Sequence, residues 1–155
     1  MKSKGFTLFE LITVVALIGI LTLMAAPMYT NLAVNQNIEE SSSNLISVLN
    51  RARSKAIIEK RVIQVNLNNY DANTETVFNW YPSGTATLVK STTTTIYFGP
   101  NGFSQKSSTD KDPTAELTFV VCNGPLATAT ISRSISLSYL GSVSDSGAIG
   151  GCSAS

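Results

Sequence analysis

From Leu11 to Ile38 the chain carries no charged side chain, and within that run LITVVALIGILTLMAAPM, Leu11 to Met28, is almost wholly apolar. Such a run folds most economically as a helix, which satisfies its backbone N–H and C=O groups internally where no water reaches them. At about 1.5 Å per residue it is roughly 27 Å long, enough to cross a bilayer with slight tilt. Lys2 and Lys4 precede it, so the amino terminus is expected to stay cytoplasmic and the remainder to be translocated. A cleaved secretory signal is the competing reading. Its cut would follow the run at a small-x-small sequence, and Ala25-Ala26-Pro27 fits that badly because the proline and the continuing helical pattern occupy the place of the cut. One acid stands at the mouth of the run, Glu10, where an ionisable group is costly unless it meets a partner charge.

Composition narrows the chemistry. The 155 residues, 43% hydrophobic and 14% charged, suit one globular domain and one hydrophobic segment. Eleven basic against ten acidic side chains leave no bulk charge to attract nucleic acid or an acidic substrate. There is no histidine, so Ser-His-Asp and Cys-His sites are excluded and the commonest metal ligand is missing. No metal or other cofactor is expected. An enzyme anchored by its first helix would have to draw on Asp71, Glu75, Asp110, Asp112 or Glu116, and no pair of these shows a catalytic motif. The two cysteines, Cys122 and Cys152, are too few for a four-ligand zinc site and are not spaced as CxxC. A disulfide in an oxidising compartment is the expectation, with two buried thiols in a cytosolic protein as the alternative.

Beyond the apolar run the helical pattern turns amphipathic. Ile38, Leu45, Leu49, Ala52 and Ala56 form one stripe, with most of the charged residues off it, so this half is expected to pack on its own domain. The rest alternates β-like runs with turn residues: 61–67, 76–81, 86–90, 94–98, 116–122 and two runs within 128–141. The implied class is α+β, a long amino-terminal helix packed on one or two antiparallel sheets.

Gly5-Phe6-Thr7-Leu8-Phe9-Glu10-Leu11 resembles the class III signal of type IV prepilins and pseudopilins, G-F-T-L-[IVLF]-E followed by about twenty apolar residues. Two further stretches are similar to the FimT/FimU/GspH group of that family, and nearest to its FimU-like minor pilins. Leu49 to Ala56 resembles L-x-x-A-R-S-x-A, and Phe98 to Gly102 resembles F-x-P-x-G. The resemblance implies a type IV pilin-like fold with residues 1–5 as leader peptide, 6–29 as transmembrane and polymerisation helix, and 30–155 as a periplasmic or extracellular head. It implies that a prepilin peptidase cuts after Gly5 and methylates Phe6, and that Glu10 neutralises the terminal amine of a neighbouring subunit. The implied partners are other minor and major pilins, met through the amino-terminal helix after residence in the inner membrane. The implied final location is a pilus at the cell surface.

Within that group the role expected is initiation or capping of a type IV pilus. The alternatives are a GspH-like pseudopilin of type II secretion and a FimT-like subunit that captures DNA. DNA-capturing relatives carry G-R-x-R near the carboxyl end. Here the comparable stretch is Gly141-Ser142-Val143-Ser144, and no basic residue follows to Ser155, so no DNA-binding residue is assigned. The basic cluster Arg51, Arg53, Lys55, Lys60 and Arg61 is expected to be a solvated helix end.

Overall fold

The computed structural model describes residues 7–90, 93–110, 112, 114–125 and 129–152. The chain divides into two compact units, residues 1–33 and 34–155. A single helix, α1 (Leu8–Glu59), supplies nearly all described residues of the first unit and the first part of the second. Thr7 caps it, its Oγ1 accepting from the Glu10 N–H at 3.2 Å and its carbonyl from the Leu11 N–H at 3.2 Å. The helix stops at Lys60, which takes the left-handed conformation (φ 54°) that ends many helices.

Eight strands follow in the second unit: β1 (Ile63–Leu67), β2 (Val77–Trp80), β3 (Thr87–Lys90), β4 (Thr95–Phe98), β5 (Ser104–Gln105), β6 (Leu117–Cys122), β7 (Ile131–Leu137) and β8 (Val143–Gly150). They form two four-stranded sheets in the orders β2-β1-β4-β5 and β3-β6-β7-β8. Alternation sends Ile63, Val65 and Leu67 of β1 inward, with Phe78 and Trp80 of β2 and Ile96 and Phe98 of β4. Phe119 and Val121 of β6 and Ile135 and Leu137 of β7 join them from the second sheet. The helix contributes Leu45, Val48, Leu49, Ala52 and Ala56 to the same core. The stripe read from the sequence is therefore the packed face, and Ile38 at its start is also buried. Full burial of each large apolar side chain stabilises the fold by about 1.5–3 kcal/mol.

Two expectations are corrected, and one strand is added. The first sheet is mixed, because β1 and β2 run parallel, Gln64 facing Val77 and Leu67 facing Trp80. The connecting loop 68–76 makes this possible by returning along the outer edge of β2 and pairing with it. Thr74 N–H donates to Val77 O (2.8 Å), Thr74 Oγ1 accepts from Val77 N–H (3.1 Å), and Asn73 Oδ1 accepts from Asn79 N–H (2.6 Å). The loop thus takes the place of a further strand and closes an edge that would otherwise offer unpaired backbone. Second, the region 128–141 holds one described strand, β7, rather than two. Third, the small-residue tail after Gly141 is a strand, β8, paired antiparallel to β7 from Leu137–Val143 to Ile131–Gly150. Sheet pairing satisfies the backbone of a segment whose side chains bury little.

Cys122 and Cys152 form a disulfide, Cα to Cα 6.0 Å. Cys122 ends β6 and Cys152 lies just beyond β8, so the bond passes the end of β7 that lies between them. Gly151 is held there as well: its N–H donates to Thr130 O (2.9 Å) and its carbonyl accepts from Ser132 Oγ (2.7 Å).

Candidate assembly surface

Leu8 to Leu23 present an unusual helix surface. Leu8, Phe9 and Leu23 are 78%, 76% and 78% exposed, and even Val14, the best covered of the large exposed apolar residues in this stretch, is 47% exposed. Apolar side chains project on every side, whereas a helix made to pack on its own domain keeps them to one stripe. Such a helix reaches low free energy only inside a lipid or protein environment that surrounds it. Among the described residues no helix is long and apolar enough to cross a membrane. The side chains described without interruption end at Leu23, while the apolar run of the sequence continues to Met28.

Glu10 is the one acid of this stretch and lies in the first turn of α1, exposed. Its backbone N–H is taken by the Thr7 cap, and no hydrogen bond or ion pair engages its carboxylate among the described residues. A negative charge is favoured there by the orientation of the helix dipole, and the group remains available to a partner cation. Gly5 and Phe6, the residues tied to processing, lie outside the described residues.

The two other motif stretches meet in the head. Arg53 turns away from the exposed helix face, and its Nε donates to the carbonyl of Gly102 at 3.2 Å. Gly102 closes the β4–β5 turn in the left-handed conformation (φ 76°), where a Cβ would press on Ile57 and approach Arg53 Nε at 3.4 Å. Gly141, in the β7–β8 turn (φ 77°), lies so close that a Cβ would overlap the Gly102 carbonyl oxygen and come within 2.9 Å of Arg53 Nε. One arginine and two glycines therefore lock the helix to both sheets. The glycine at the head of the stretch compared with G-R-x-R is structural in this chain.

Four further basic side chains are engaged as well, Arg51, Lys55, Arg61 and Arg133. Lys55 pairs with Glu59 (3.7 Å), and Arg61 bridges Glu59 (2.6 Å) and Glu75 (3.6 Å). Arg51 and Lys55 stand over the Phe78 ring at 5.6 and 5.7 Å from its centroid, along an open groove of about 610 Å³. Arg133 on β7 binds Glu39 of the helix (2.8 Å) and Asp145 of β8 (2.7 Å). The hydrogen bond it donates to Asp145, reinforced by that to Glu39, holds the Arg133 guanidinium well above its ordinary pKa. That same bond, against the opposing effect of burial, holds the Asp145 carboxyl below its ordinary value. Sequence reasoning did not single out Arg133 or Asp145, because nothing local signals that residues 39, 133 and 145 meet. Asp71, Glu75, Asp110, Asp112 and Glu116 do not converge: among the described residues no group of three or more His, Cys, Asp or Glu is placed to hold a metal.

Residues 1–26 match the family model of the prokaryotic N-terminal methylation motif. A fimbrial protein of Pseudomonas aeruginosa is 35% identical over 116 residues, which cover 74% of this chain and 66% of that protein. A second fimbrial protein of the same organism is 41% identical over 61 residues, 39% of each chain. The chain thus spans just under two thirds of the first relative's length and well under half of the second's. Two crystal structures of the P. aeruginosa type IV minor pilin FimU share the fold. One is 20% identical, with TM-score 0.53 over 77% of this chain and 97% of that one. The other is 22% identical, with TM-score 0.50 over 74% and 99%. A methylation motif leading into an all-round apolar helix, followed by an α+β head, defines a structural protein of the pilin class. The chain carries the methylation motif at its start and is similar to fimbrial proteins of P. aeruginosa, and it shares the fold of the type IV minor pilin FimU.

Proposed function

We propose that the chain is a minor pilin that helps to initiate or cap a type IV pilus. In this reading a prepilin peptidase removes residues 1–5, and Phe6 becomes the methylated first residue of the mature subunit. Residues 6–29 hold the subunit in the inner membrane with the head, residues 30–155, in the periplasm, and the same helix later enters the filament core among other pilins. The observation that carries the reading is the exposed apolar helix with one unpaired carboxylate near its start. Transfer from lipid to a bundle of like helices keeps the apolar surface out of water in both states. Glu10 then gains the terminal amine of a neighbour, which offsets much of the cost of a carboxylate in an apolar surround.

The disulfide favours a pilus subunit exposed outside the cell over a type II secretion pseudopilin. The neutral Ser142-Val143-Ser144 stretch and the engaged arginines weigh against DNA capture. Mass spectrometry of the native protein tests processing: a mature chain beginning at N-methylated Phe6 is expected, and an intact Met1 or a cut near Ala26 would refute it. In the same strain Glu10→Ala should leave a processed, membrane-held protein that enters pili poorly, read by immunoblot of sheared filaments. Unchanged incorporation would remove the charge-pair role.

A further inference from the structure

The head carries a second surface, outside residues 6–29, that includes exposed side chains on α1 and β2. A pocket of about 200 Å³ lies between α1 and the end of β2, lined by Glu40, Asn44, Asn79, Trp80, Tyr81 and Ser83. Its floor is rigid. Asn79 has every side-chain hydrogen-bonding group in use, Oδ1 accepting from Asn66 (2.9 Å) and Asn69 (3.1 Å) and Nδ2 donating to Asp71 O (3.2 Å) and Ala72 O (3.1 Å). Around that floor polar groups have no partner among the described residues. Trp80 is 1% exposed and its indole N–H makes no hydrogen bond, a costly state for a buried donor. The side chains of Glu40 and Asn44 are exposed and make no hydrogen bond to any described residue. At the rim the Tyr81 ring stacks on Tyr70, centroids 4.4 Å apart, and the two side chains are 47% and 75% exposed.

The stacked pair holds a flat apolar ring face open to solvent beside the pocket, a surface that suits the C–H face of a small ring. The pocket beside them offers a carboxylate, a carboxamide and a hydroxyl, and no cation lines it. That set suits a ligand with many neutral donors and acceptors and one apolar face, and it disfavours an anion. The volume suits one small ring rather than a length of peptide. We infer that this pocket and the Tyr70–Tyr81 pair form a binding subsite for a neutral pyranose sugar. The ring's C–H face lies on the tyrosine, and its hydroxyls bridge Glu40 and Asn44. The inference is independent of the pilus reading, because no residue of 6–29 takes part.

Trp80 is the only tryptophan of the chain and reports directly on the pocket. The full-length protein, held in a detergent without a sugar headgroup, is titrated with glucose, galactose and N-acetylglucosamine while Trp80 emission is followed. A saturable change with at least one of these sugars is expected, of millimolar affinity. Tyr81→Ala should weaken it about tenfold, and Asn44→Ala and Glu40→Gln, both at exposed helix positions, should weaken it too. Tyr139→Ala, which removes an exposed tyrosine of another turn, should leave it unchanged. A response that stays linear for all three sugars, or equal binding by wild type and all four variants, would overturn the inference. Because the helix variants alter only exposed side chains, a folding failure of Tyr81→Ala would still leave two substitutions to decide.

Discussion

Gly141 and Gly147 share a backbone conformation, φ 77°, and differ in what surrounds them. A methyl on Gly147 meets nothing within 4 Å, whereas on Gly141 it would overlap the Gly102 carbonyl oxygen and crowd Arg53. Gly147→Ala should therefore cost only the left-handed strain, about 1–2 kcal/mol. Gly141→Ala should cost that and the overlap as well, lowering the melting temperature by roughly 5–10 °C. Thermal unfolding followed by circular dichroism checks the ranking, and equal losses would show that the Arg53–Gly102–Gly141 contact yields without cost. Asp145 makes a second residue-scale prediction, in pH. Its folded pKa lies below the unfolded value of about 3.9, so its contribution is fully present above that value. It is lost as pH falls through the lower, folded value. Asp145→Asn should therefore flatten the acid limb of a melting-temperature profile below about pH 4 while changing the slope near neutrality little. The ion pair is partly solvated, so its loss at neutral pH should amount to no more than about 1 kcal/mol.

At the scale of elements, β8 depends on the disulfide more than any other strand does. Its segment contains Gly147 and Gly150, so little apolar area opposes fraying, and its pairing with β7 shifts register between Arg133 and Ile135. Closing the loop from Cys122 to Cys152, 30 residues apart, removes unfolded-state entropy worth roughly 3–4 kcal/mol in the chain-entropy picture. Cys152→Ser should lower the melting temperature and open β8 first. Limited proteolysis should then cut after Gly141 before it cuts within β6, and an unchanged cleavage order would refute the dependence. The helix was legible from its period and the strands β1, β2, β4 and β6 from their alternation, because each of those signals is local. The tail was not among the β-like runs of the sequence, because its side chains are mostly small and show no alternation. Its backbone pairs with β7 all the same, and pairing partners leave no mark in a strand of small residues.

For the whole molecule, charge is the property that decides the competing roles. Removal of Met1 to Gly5 would take Lys2 and Lys4 with it and leave nine basic against ten acidic side chains. Lys55, Arg61 and Arg133 are paired with carboxylates and Arg53 is held by a backbone carbonyl, and with near-zero net charge no concentrated basic surface is left to meet phosphates. Binding of the protein to duplex DNA at physiological salt should be no tighter than about 10⁻⁴ M. Sub-micromolar, salt-sensitive binding in a fluorescence titration would restore the DNA-capture role.

What the residues alone determined is what short stretches of chain carry. The uncharged run made a helix that its own domain leaves uncovered, the Gly5-to-Glu10 motif named the class, and two cysteines without a metal-binding pattern left a disulfide as the economical pairing. Tertiary structure alone decided the parallel β1–β2 pair, the strand made from the tail, and the meeting of Arg53 with Gly102 and Gly141. It alone gathered Glu39, Arg133 and Asp145, and it set Glu40 and Asn44 of the helix beside Trp80 and Tyr81. The physical reason is distance along the chain. Arg53 and Gly102 are 49 residues apart, and a hydrogen bond between such groups exists only after the hydrophobic core has closed the loop between them.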